Sequence, residues 1–474
     1  MQSPLLCVRF SRYGEPRVRR KSAGSLERNG EKRSFLGKTI DVFVRQYYGE
    51  DVPPKLRTMQ SRHYSIDNTS ELRSKQPSLF QQLSARIMAC GPITVADYMK
   101  EVLTHPTAGY YMNKDVFGEK GDFITSPEIT QIFGEMLGVW IINEWSKISR
   151  GPFQLVELGP GRGTLSKDIL RVFKQLKIID KVSLHLVEVS PTLSAIQAKN
   201  LCTSTEEVNP LTNKNGENSI SHYRKGITND GVKIFWYYSI TDVPRDFSIF
   251  LAHEFFDALP IHKFQRTSEG WREVLVDIDP VANNQEKFRY VISRMATPSV
   301  KAYVSENEPR DHLEVSPQSI VIADHLSSFL YENGGFVLIA DYGHDGEKTD
   351  TFRAFRQHQL HDPLINPGTA DLTADVDFSL FKRIASNDNK LITFGPINQR
   401  DFLKQLGIDI RLQMLLRNAP EDQRDQIQSA YHMITDEDQM GKCFKMLSMF
   451  PAILKKHFEK WPVSGFQKID GLKK

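Results

Sequence analysis

The chain has 474 residues and a mass of 54.3 kDa, enough for two or three domains or for one elaborated domain. Hydrophobic residues make up 40%, charged residues 25% and aromatic residues 10%, which excludes wholesale disorder, a collagen-like repeat and a coiled-coil rod. The net charge of +3 is unevenly spread, because residues 1–64 carry 14 Lys and Arg against 6 Asp and Glu. The remainder is mildly acidic, which argues against nucleic-acid binding and permits an acidic pocket for a cationic substrate.

The four cysteines show no CxxC pair and no spacing typical of a zinc knuckle or a disulfide framework, so we predict reduced thiols. No stretch approaches the ~20 uncharged apolar residues that a membrane-spanning helix needs. Even the apolar stretch 132–142 contains Glu135. The sequence therefore predicts a protein without a membrane span.

A basic extension occupies the first residues of the chain. The R-x-Y-S pattern that begins at Arg62 resembles the processing signal of mitochondrial matrix proteins. We predict a transit or disordered extension over residues 1–64, a linker and the start of a helical section over 65–90, and a mitochondrial matrix location. Two alternatives stay open: a basic tail without a targeting role, and a start at Met59, because the six upstream acids exceed what a presequence usually carries.

Helical patterns dominate residues 91–150, which we predict to form an N-terminal helical section. Thr94 is a candidate N-cap, and Thr125 precedes Pro127 in the arrangement typical of a helix start. Apolar residues then recur at helical spacing over 128–145. This section precedes the first strand of a sheet.

An α/β pattern follows over residues 151–450. Helical stretches such as 165–176 separate short β-branched or aromatic runs at 153–158, 184–189, 234–238, 248–252 and 336–340. Strands alternating with helices predict a Rossmann-like parallel sheet with helices on both faces. Two longer strand patterns, at 273–278 and 288–292, predict an inserted β-hairpin region over about 270–321, and residues 200–229 are polar and loop-like. Residues 451–474 are predicted as a C-terminal tail.

Three alternating glycines follow the first of these strands. Gly159, Gly161 and Gly163 come directly after Glu157-Leu158 and directly before a helical pattern. Glycine is expected where the backbone turns sharply and a ligand approaches closely, at the sheet edge where open α/β folds bind ligands. The dinucleotide fingerprint does not match, because Thr164 replaces its third glycine, and the P-loop lysine is absent. The pattern therefore predicts a nucleotide-like ligand of another class.

A carboxylate at the end of the next strand strengthens this prediction. Glu188 ends that strand 31 residues after Glu157. A carboxylate in this position can accept hydrogen bonds from both ribose hydroxyls, as in dinucleotide folds. Any adenosine-containing cofactor would fit, and the alternative is a solvated acid at a strand end.

A dense polar and aromatic turn follows the strand at 248–252. His253, Glu254 and Asp257 share part of the HExxH zinc pattern, but the fifth residue is Asp and the preceding segment is a predicted strand, not a helix. Two carboxylates beside flat aromatic residues suit a guanidinium group, which carboxylates bind in bidentate fashion. The alternative is that one or both acids cap the following helix.

Another strand-to-loop edge lies at residues 340–346. Histidines and acids follow it at His358, His361, Asp362, Asp371, Asp375 and Asp377. A metal cluster is one interpretation, but the surrounding Pro, Gly and Thr residues favour an ordered loop in which short acids cap turns. We predict a substrate-side loop and no metal.

Several unusual strings occur in a fixed order, at residues 91–99, 118–128, 157–163, 253–260 and 340–346. Together they resemble the MidA family of class I S-adenosylmethionine-dependent methyltransferases, over about residues 87–446. The chain is most similar to the mitochondrial branch of that family, arginine methyltransferases that act as assembly factors for respiratory complex I.

This resemblance implies S-adenosylmethionine as cofactor and a type II activity that forms symmetric dimethylarginine on a core subunit of complex I. It implies the cofactor loop at Gly159, Gly161 and Gly163, with Glu157 near the cofactor's amino group and Glu188 at its ribose. The family is less well defined on the acceptor side. The catalytic assignment of His253, Glu254 and Asp257 is therefore a prediction from the chemistry of these side chains. A non-catalytic assembly chaperone with a methyltransferase fold is the alternative.

Overall fold

A computed structural model describes residues 77–112, 125–208, 221–281 and 286–467. The predicted extension 1–64 and residues 65–76 of the segment 65–90 lie outside these residues. Ser78–Lys474 forms one compact unit. Within the described ranges, no helix is both long and apolar enough to cross a membrane.

The strands, in chain order, are β1 (Ile93–Thr94), β2 (Phe153–Leu158), β3 (Val182–Val187), β4 (Ser204–Glu207), β5 (Arg224–Ile227), β6 (Lys233–Tyr237), β7 (Ser248–His253), β8 (His262–Thr267), β9 (Gly270–Ile278), β10 (Phe288–Ile292), β11 (His312–Val315), β12 (Gly335–His344), β13 (Arg353–Arg356), β14 (Gln359–His361), β15 (Asp371–Thr373), β16 (Val376–Asp377), β17 (Leu391–Asn398) and β18 (Phe444–Pro451). The helices are α1 (Leu79–Cys90), α2 (Val95–Thr104), α3 (Ser126–Ile129), α4 (Gln131–Ile148), α5 (Thr164–Gln175), α6 (Pro191–Leu201), α7 (Pro298–Tyr303), α8 (Pro317–Asn333), α9 (Phe378–Ser386), α10 (Gln399–Gln405), α11 (Ile408–Asn418), α12 (Glu421–Thr435), α13 (Met440–Cys443) and α14 (Lys455–Lys460).

A large mixed sheet forms the centre of the fold, with neighbouring strands in the order β17-β18-β12-β7-β2-β3-β6-β5-β4. The central strands β12, β7, β2, β3 and β6 are parallel. Strand β18 runs antiparallel to both of its neighbours, and the β4–β5 hairpin extends the other edge in antiparallel fashion. The predicted Rossmann-like sheet is therefore confirmed.

Two hydrophobic cores cover the two faces of this sheet. Leu155 of β2 and Leu251 of β7 point to one face and pack with apolar residues of α4, α5 and α10. The next residues, Val156 and Ala252, point to the other face and pack with α8 and α9. Alternate side chains of a strand lie on opposite faces, so near-continuous apolar strands are needed to fill both cores. Helices cover both faces, as predicted.

A second, antiparallel sheet comprises β1, β8, β9, β10 and β11. It contains the predicted hairpin, β9 and β10, but the inserted region begins at His262 with β8, before the predicted start at about residue 270. Strand β1 of the N-terminal section pairs with β9, and helices α1 and α2 share a hydrophobic core with this sheet. Helix α4 packs instead on the central sheet. The structure thus divides residues 91–150 between two cores.

Three further segments differ from the sequence patterns. The predicted helix over 128–145 is interrupted at Thr130, which is extended and caps α4 by accepting the N–H of Ile132. Strands β4 and β5 lie within the polar segment 200–229 that we predicted as a loop. Residues 451–467, within the predicted tail, include α14 and place Phe458 and Val463 in the main core.

Candidate active site

The glycine loop lies between β2 and α5. All three glycines have positive φ angles, +61° at Gly159, +53° at Gly161 and +80° at Gly163, which L side chains rarely adopt. A Cβ atom at Gly159 would lie 2.9 Å from Cδ2 of Phe255. The turn after β7, which contains Phe255, therefore lies directly beside the loop. Gly163 starts α5 without a side-chain cap, which leaves the positive end of the helix dipole facing the loop.

Glu157 is a buried carboxyl group immediately before this loop. It accepts a hydrogen bond from the hydroxyl of Ser166 on α5. Burial raises its pKa to about 7, partly offset by the Ser166 contacts. A positively charged group placed beside it would restore the ionised form.

Glu188 lies one residue past β3, at the same sheet edge, and it is also buried. Its two oxygens accept hydrogen bonds from the N–H of Ser190 at 2.7 Å and from Nε2 of Gln197 at 2.9 Å. Burial raises its pKa to about 7. Each carboxylate oxygen can accept more than one hydrogen bond, so Glu188 retains capacity for hydroxyl donors.

Gln197 is a site residue that the sequence patterns did not reveal. Its Nε2 donates to Glu188 and to the carbonyl of Gly161 at 2.7 Å, and its Oε1 accepts from Nε1 of Trp236 at 2.9 Å. The amide joins the glycine loop, β6 and the strand-end acid. Nothing in a single buried Gln on an otherwise ordinary helix signals this role.

His253 ends β7 in a buried position between the rings of Phe133 and Phe444. Its Nε2 has no hydrogen-bond partner among the described residues and lies 3.5 Å from Oε1 of Glu254. Burial lowers the pKa of the imidazole to about 3. His253 is therefore neutral at physiological pH.

Glu254 has a φ of +49°, unusual for a residue with a side chain. Its Oε1 is buried and has no hydrogen-bond partner among the described residues. Burial raises the pKa of this carboxyl group well above its ordinary value, and the nearby acids Asp257, Asp371 and Glu128 raise it further. A cation bound beside Glu254 would offset the repulsion between its negative charge and those of the neighbouring acids.

Asp257 lies on the same turn in a different environment. One of its oxygens accepts the hydroxyl of Thr373 at 2.7 Å, and its carbonyl accepts the N–H of Ala374 at 3.0 Å. Burial raises its pKa, while Thr373 and the guanidinium of Arg353 act in the opposite direction. Among the three predicted catalytic residues, His253 and Glu254 face each other, whereas Asp257 faces the loop that contains β15.

That loop contributes further polar groups to the site. Asp371 accepts the phenolic hydroxyl of Tyr111 at 2.6 Å, and the carbonyl of Tyr111 accepts the hydroxyl of Ser190 at 2.6 Å. Through Tyr111, the N-terminal section thus contacts both the loop that contains β15 and the segment that follows Glu188. Within the described part of the chain, no group of three or more His, Cys, Asp or Glu residues is arranged to hold a metal.

Comparison with known proteins identifies the family. Residues 136–397 match the family described as "Putative S-adenosyl-L-methionine-dependent methyltransferase". The chain belongs to this family. The MidA resemblance of the sequence motifs is thereby confirmed, and S-adenosylmethionine is the cofactor of this methyltransferase.

Relatives and one solved structure agree with this assignment. The methyltransferase is 51% identical over 397 residues to the human "Protein arginine methyltransferase NDUFAF7, mitochondrial", covering 83% of this chain and 87% of that protein. It is 47% identical over 442 residues to the Drosophila melanogaster homolog, covering 93% and 98%. A Burkholderia thailandensis protein crystallised with S-adenosyl-homocysteine shares the fold, with a TM-score of 0.64, 21% identity and coverage of 83% and 95%.

The described residues fit this cofactor. The positive-φ glycines leave space for close approach to the backbone, and two buried carboxyl groups, Glu157 and Glu188, lie at the ends of the neighbouring strands β2 and β3. Carboxylates suit an ammonium group and ribose hydroxyls. The roles predicted for the individual residues remain predictions that the variants below test.

Proposed function

We propose that the chain is a protein arginine methyltransferase of the mitochondrial matrix, which forms symmetric dimethylarginine on a core subunit of complex I early in its assembly. The observation that carries this proposal is the 51% identity, over 83% of the chain, to the human mitochondrial protein arginine methyltransferase. The symmetric, type II product, the complex I target and the matrix location are inferred from the motif resemblance. The predicted transit extension over residues 1–64 is consistent with that location.

The cofactor supplies an activated methyl group. In this proposal, Gly159, Gly161 and Gly163 let the cofactor approach the loop backbone closely. Glu157 would pair with the cofactor's amino group, and Glu188 would accept hydrogen bonds from its ribose hydroxyls. The protein contributes chiefly by alignment, which can be worth on the order of 7 to 11 kcal/mol when the reacting atoms are held in the productive geometry.

Glu254, Asp257 and His253 form the proposed acceptor side. Glu254 is the best candidate for direct contact with the guanidinium, because its Oε1 has no hydrogen-bond partner among the described residues. Asp257 already accepts from Thr373 and would add negative charge without direct contact. His253 is neutral and lies 3.5 Å from Glu254, so it can accept a hydrogen bond without repelling the cation.

The acceptor arginine must lose a proton when its nitrogen gains a methyl group, and a guanidinium pKa above ~12 makes this loss difficult. The bound guanidinium favours the ionised form of a buried carboxyl group, which releases its own proton to solvent, and the resulting carboxylate is a stronger base than an ordinary one. Burial and neighbouring acids raise the pKa of Glu254 in this way. We therefore assign the proton to Glu254.

The test begins with calorimetric titration of the purified protein with S-adenosylmethionine and, separately, with NAD. We expect binding of the methyl donor alone. Complex I core subunits are then compared by mass spectrometry between mitochondria that contain the enzyme and mitochondria that lack it. Symmetric dimethylarginine should be present in the first sample and absent from the second. Binding of NAD instead, or unchanged arginine methylation in depleted mitochondria, would refute the proposal.

The second candidate is a non-catalytic assembly chaperone. Helices α1 and α2 share a core with the inserted sheet, which adds a body outside the central sheet that could hold a complex I subunit. Gly159→Val separates the two functions, because the added side chain fills the space beside Phe255. If this variant supported complex I assembly fully, the chaperone function would be preferred.

A further inference from the structure

Asp341 is a fully buried acid on the central strand β12, where it projects toward the turn after β7. Its Oδ2 accepts backbone N–H groups from Phe255 at 3.2 Å, Phe256 at 2.9 Å and Asp257 at 3.4 Å. Its Oδ1 accepts the N–H of Tyr342 at 2.9 Å. One side chain therefore satisfies three successive N–H groups of the turn.

Glu254 immediately precedes these three residues. Its own N–H donates to the carbonyl of Ala340 at 3.0 Å, so β12 holds the turn on both sides of the Glu254 side chain. A φ of +49° in a residue with a Cβ persists only where surrounding contacts enforce it. Ala340 binds the N–H of Glu254, and Asp341 binds the three N–H groups that follow it.

The buried carboxylate of Asp341 is costly for the free protein. Burial raises the pKa of Asp341 well above its ordinary value, and the neighbouring Asp257 and Glu254 raise it further. An uncharged residue would avoid this repulsion, yet it could not accept three N–H groups on one oxygen and a fourth on the other. This cost is typical of a group retained for positioning.

We propose that Asp341 is the positioning residue of the acceptor site, which holds Glu254 in its left-handed conformation with Oε1 directed to the substrate guanidinium. The proposal rests on the proposed arginine methyltransferase activity and extends it to a residue that does not itself touch substrate. All of its observed hydrogen bonds go to the backbone. Asp341 acts through Glu254.

The experiment measures methyl transfer by the full chain from tritiated S-adenosylmethionine to matrix protein of mitochondria depleted of the enzyme. Variants are Asp341→Ala, Asp341→Asn, Glu254→Gln and the double variant Asp341→Ala/Glu254→Gln. Asp341→Ala should lower Vmax about 100-fold, as a misplaced reacting group does. The KM for S-adenosylmethionine should change by less than about threefold, because Asp341 makes its hydrogen bonds with the acceptor turn and with Tyr342 and not with the glycine loop.

Two comparisons separate positioning from simple loss of structure. Asp341→Asn keeps an oxygen that can accept hydrogen bonds from the N–H groups of the turn. Its Vmax should therefore be about tenfold higher than that of Asp341→Ala. The double variant should be no slower than Glu254→Gln alone, because a residue that acts through Glu254 has no effect once that carboxylate is gone. Asp246→Ala is the control: Asp246 accepts the N–H of Phe247 just before β7 begins, at the end of the strand opposite the acceptor turn, and its loss should leave Vmax unchanged.

The outcomes distinguish this proposal from the proposed function. If the wild-type protein transfers no methyl group to arginine, the proposed function is wrong. If it is active and Glu254→Gln is not, but Asp341→Ala retains full Vmax, the positioning role alone is refuted. Additive losses in the double variant, or equal losses of Vmax and cofactor affinity in Asp341→Ala, would also overturn it. If Asp341→Ala does not fold, the same comparison is made with Asp341→Asn, Glu254→Gln and the double variant Asp341→Asn/Glu254→Gln, and additive losses of Vmax would refute the positioning role.

Discussion

Gln197 donates a hydrogen bond from Nε2 to Oε2 of Glu188 at 2.9 Å. The same amide donates to the carbonyl of Gly161. It thereby fixes the distance between the strand-end acid and the glycine loop. Two parts of the proposed cofactor site that are separate in sequence are held together by one buried side chain.

Gln197→Leu should weaken cofactor binding without abolishing the fold. The substitution removes both donors, and a buried polar group left without its partner costs about 1–3 kcal/mol. We expect an S-adenosylhomocysteine dissociation constant roughly 10-fold higher by calorimetry. Lys199→Ala, on the exposed side of the same helix, is the control and should bind normally. Unchanged affinity in Gln197→Leu would show that the amide does not organise the site.

Gly159→Ala tests whether the loop needs a bare backbone. The new Cβ would lie 2.9 Å from Phe255 at a φ of +61°, so either the loop or the acceptor turn must shift. We expect cofactor binding to fall below detection in the calorimeter. Gly231 has a similar φ of +84° but nothing within 4 Å of its Cβ position. Gly231→Ala therefore carries the backbone strain alone, and an equal loss of binding in that variant would argue against crowding as the cause.

The sequence predicted the parts of the site that come from consecutive residues. Gly159 to Gly163 and Glu188 follow strands whose apolar pattern is clear, and parallel neighbours bring their ends to one edge. The contact between Gly159 and Phe255 follows from the same rule, because β2 and β7 are also neighbours. The order of strands itself could not be read from their individual patterns.

The unpredicted parts depend on long-range contacts that leave no local signal. Ile93 of β1 pairs with Val276, which lies 183 residues later in the chain (276 − 93). Strands β4 and β5 are polar strands at a sheet edge, where no burial pattern marks them. Asp341 lies in the segment 340–346, which the sequence analysis identified as a strand-to-loop edge. Its hydrogen bonds to the turn at 255–257 became apparent only with the pairing of β7 and β12.

Glu254→Gln and Asp257→Asn should differ in severity. Both amides keep the shape of the side chain and should leave cofactor affinity nearly unchanged. Glu254→Gln removes the carboxylate proposed to contact the guanidinium, so Vmax should fall at least about 100-fold. Asp257→Asn should lose less, because that side chain already accepts from Thr373. Radiolabelled methyl transfer with parallel calorimetry measures both effects, and a loss of cofactor binding in either variant would show that the acid lies on the cofactor side.

Glu157 should make the cofactor-free protein less stable as the pH rises. Its pKa is about 7 in the folded protein against 4.5 for an ordinary Glu, so between these values the folded state binds more protons than the unfolded state. Stability therefore declines with rising pH over this interval, by at most about 3 kcal/mol from this group. Glu157→Gln can still accept from Ser166 but cannot ionise.

In urea denaturation, Glu157→Gln should match the wild-type protein near pH 4.5 and exceed its stability near pH 8. The exposed Glu459 provides the control, because Glu459→Gln should follow the wild-type curve at both values. Added S-adenosylmethionine should narrow the difference at pH 8, since a cation beside Glu157 stabilises the ionised wild-type carboxylate and gains nothing from the amide. A difference that stays constant between pH 4.5 and pH 8 would mean that folding does not raise the pKa of Glu157, and burial of this carboxyl group would then give no reason for it to favour a cation.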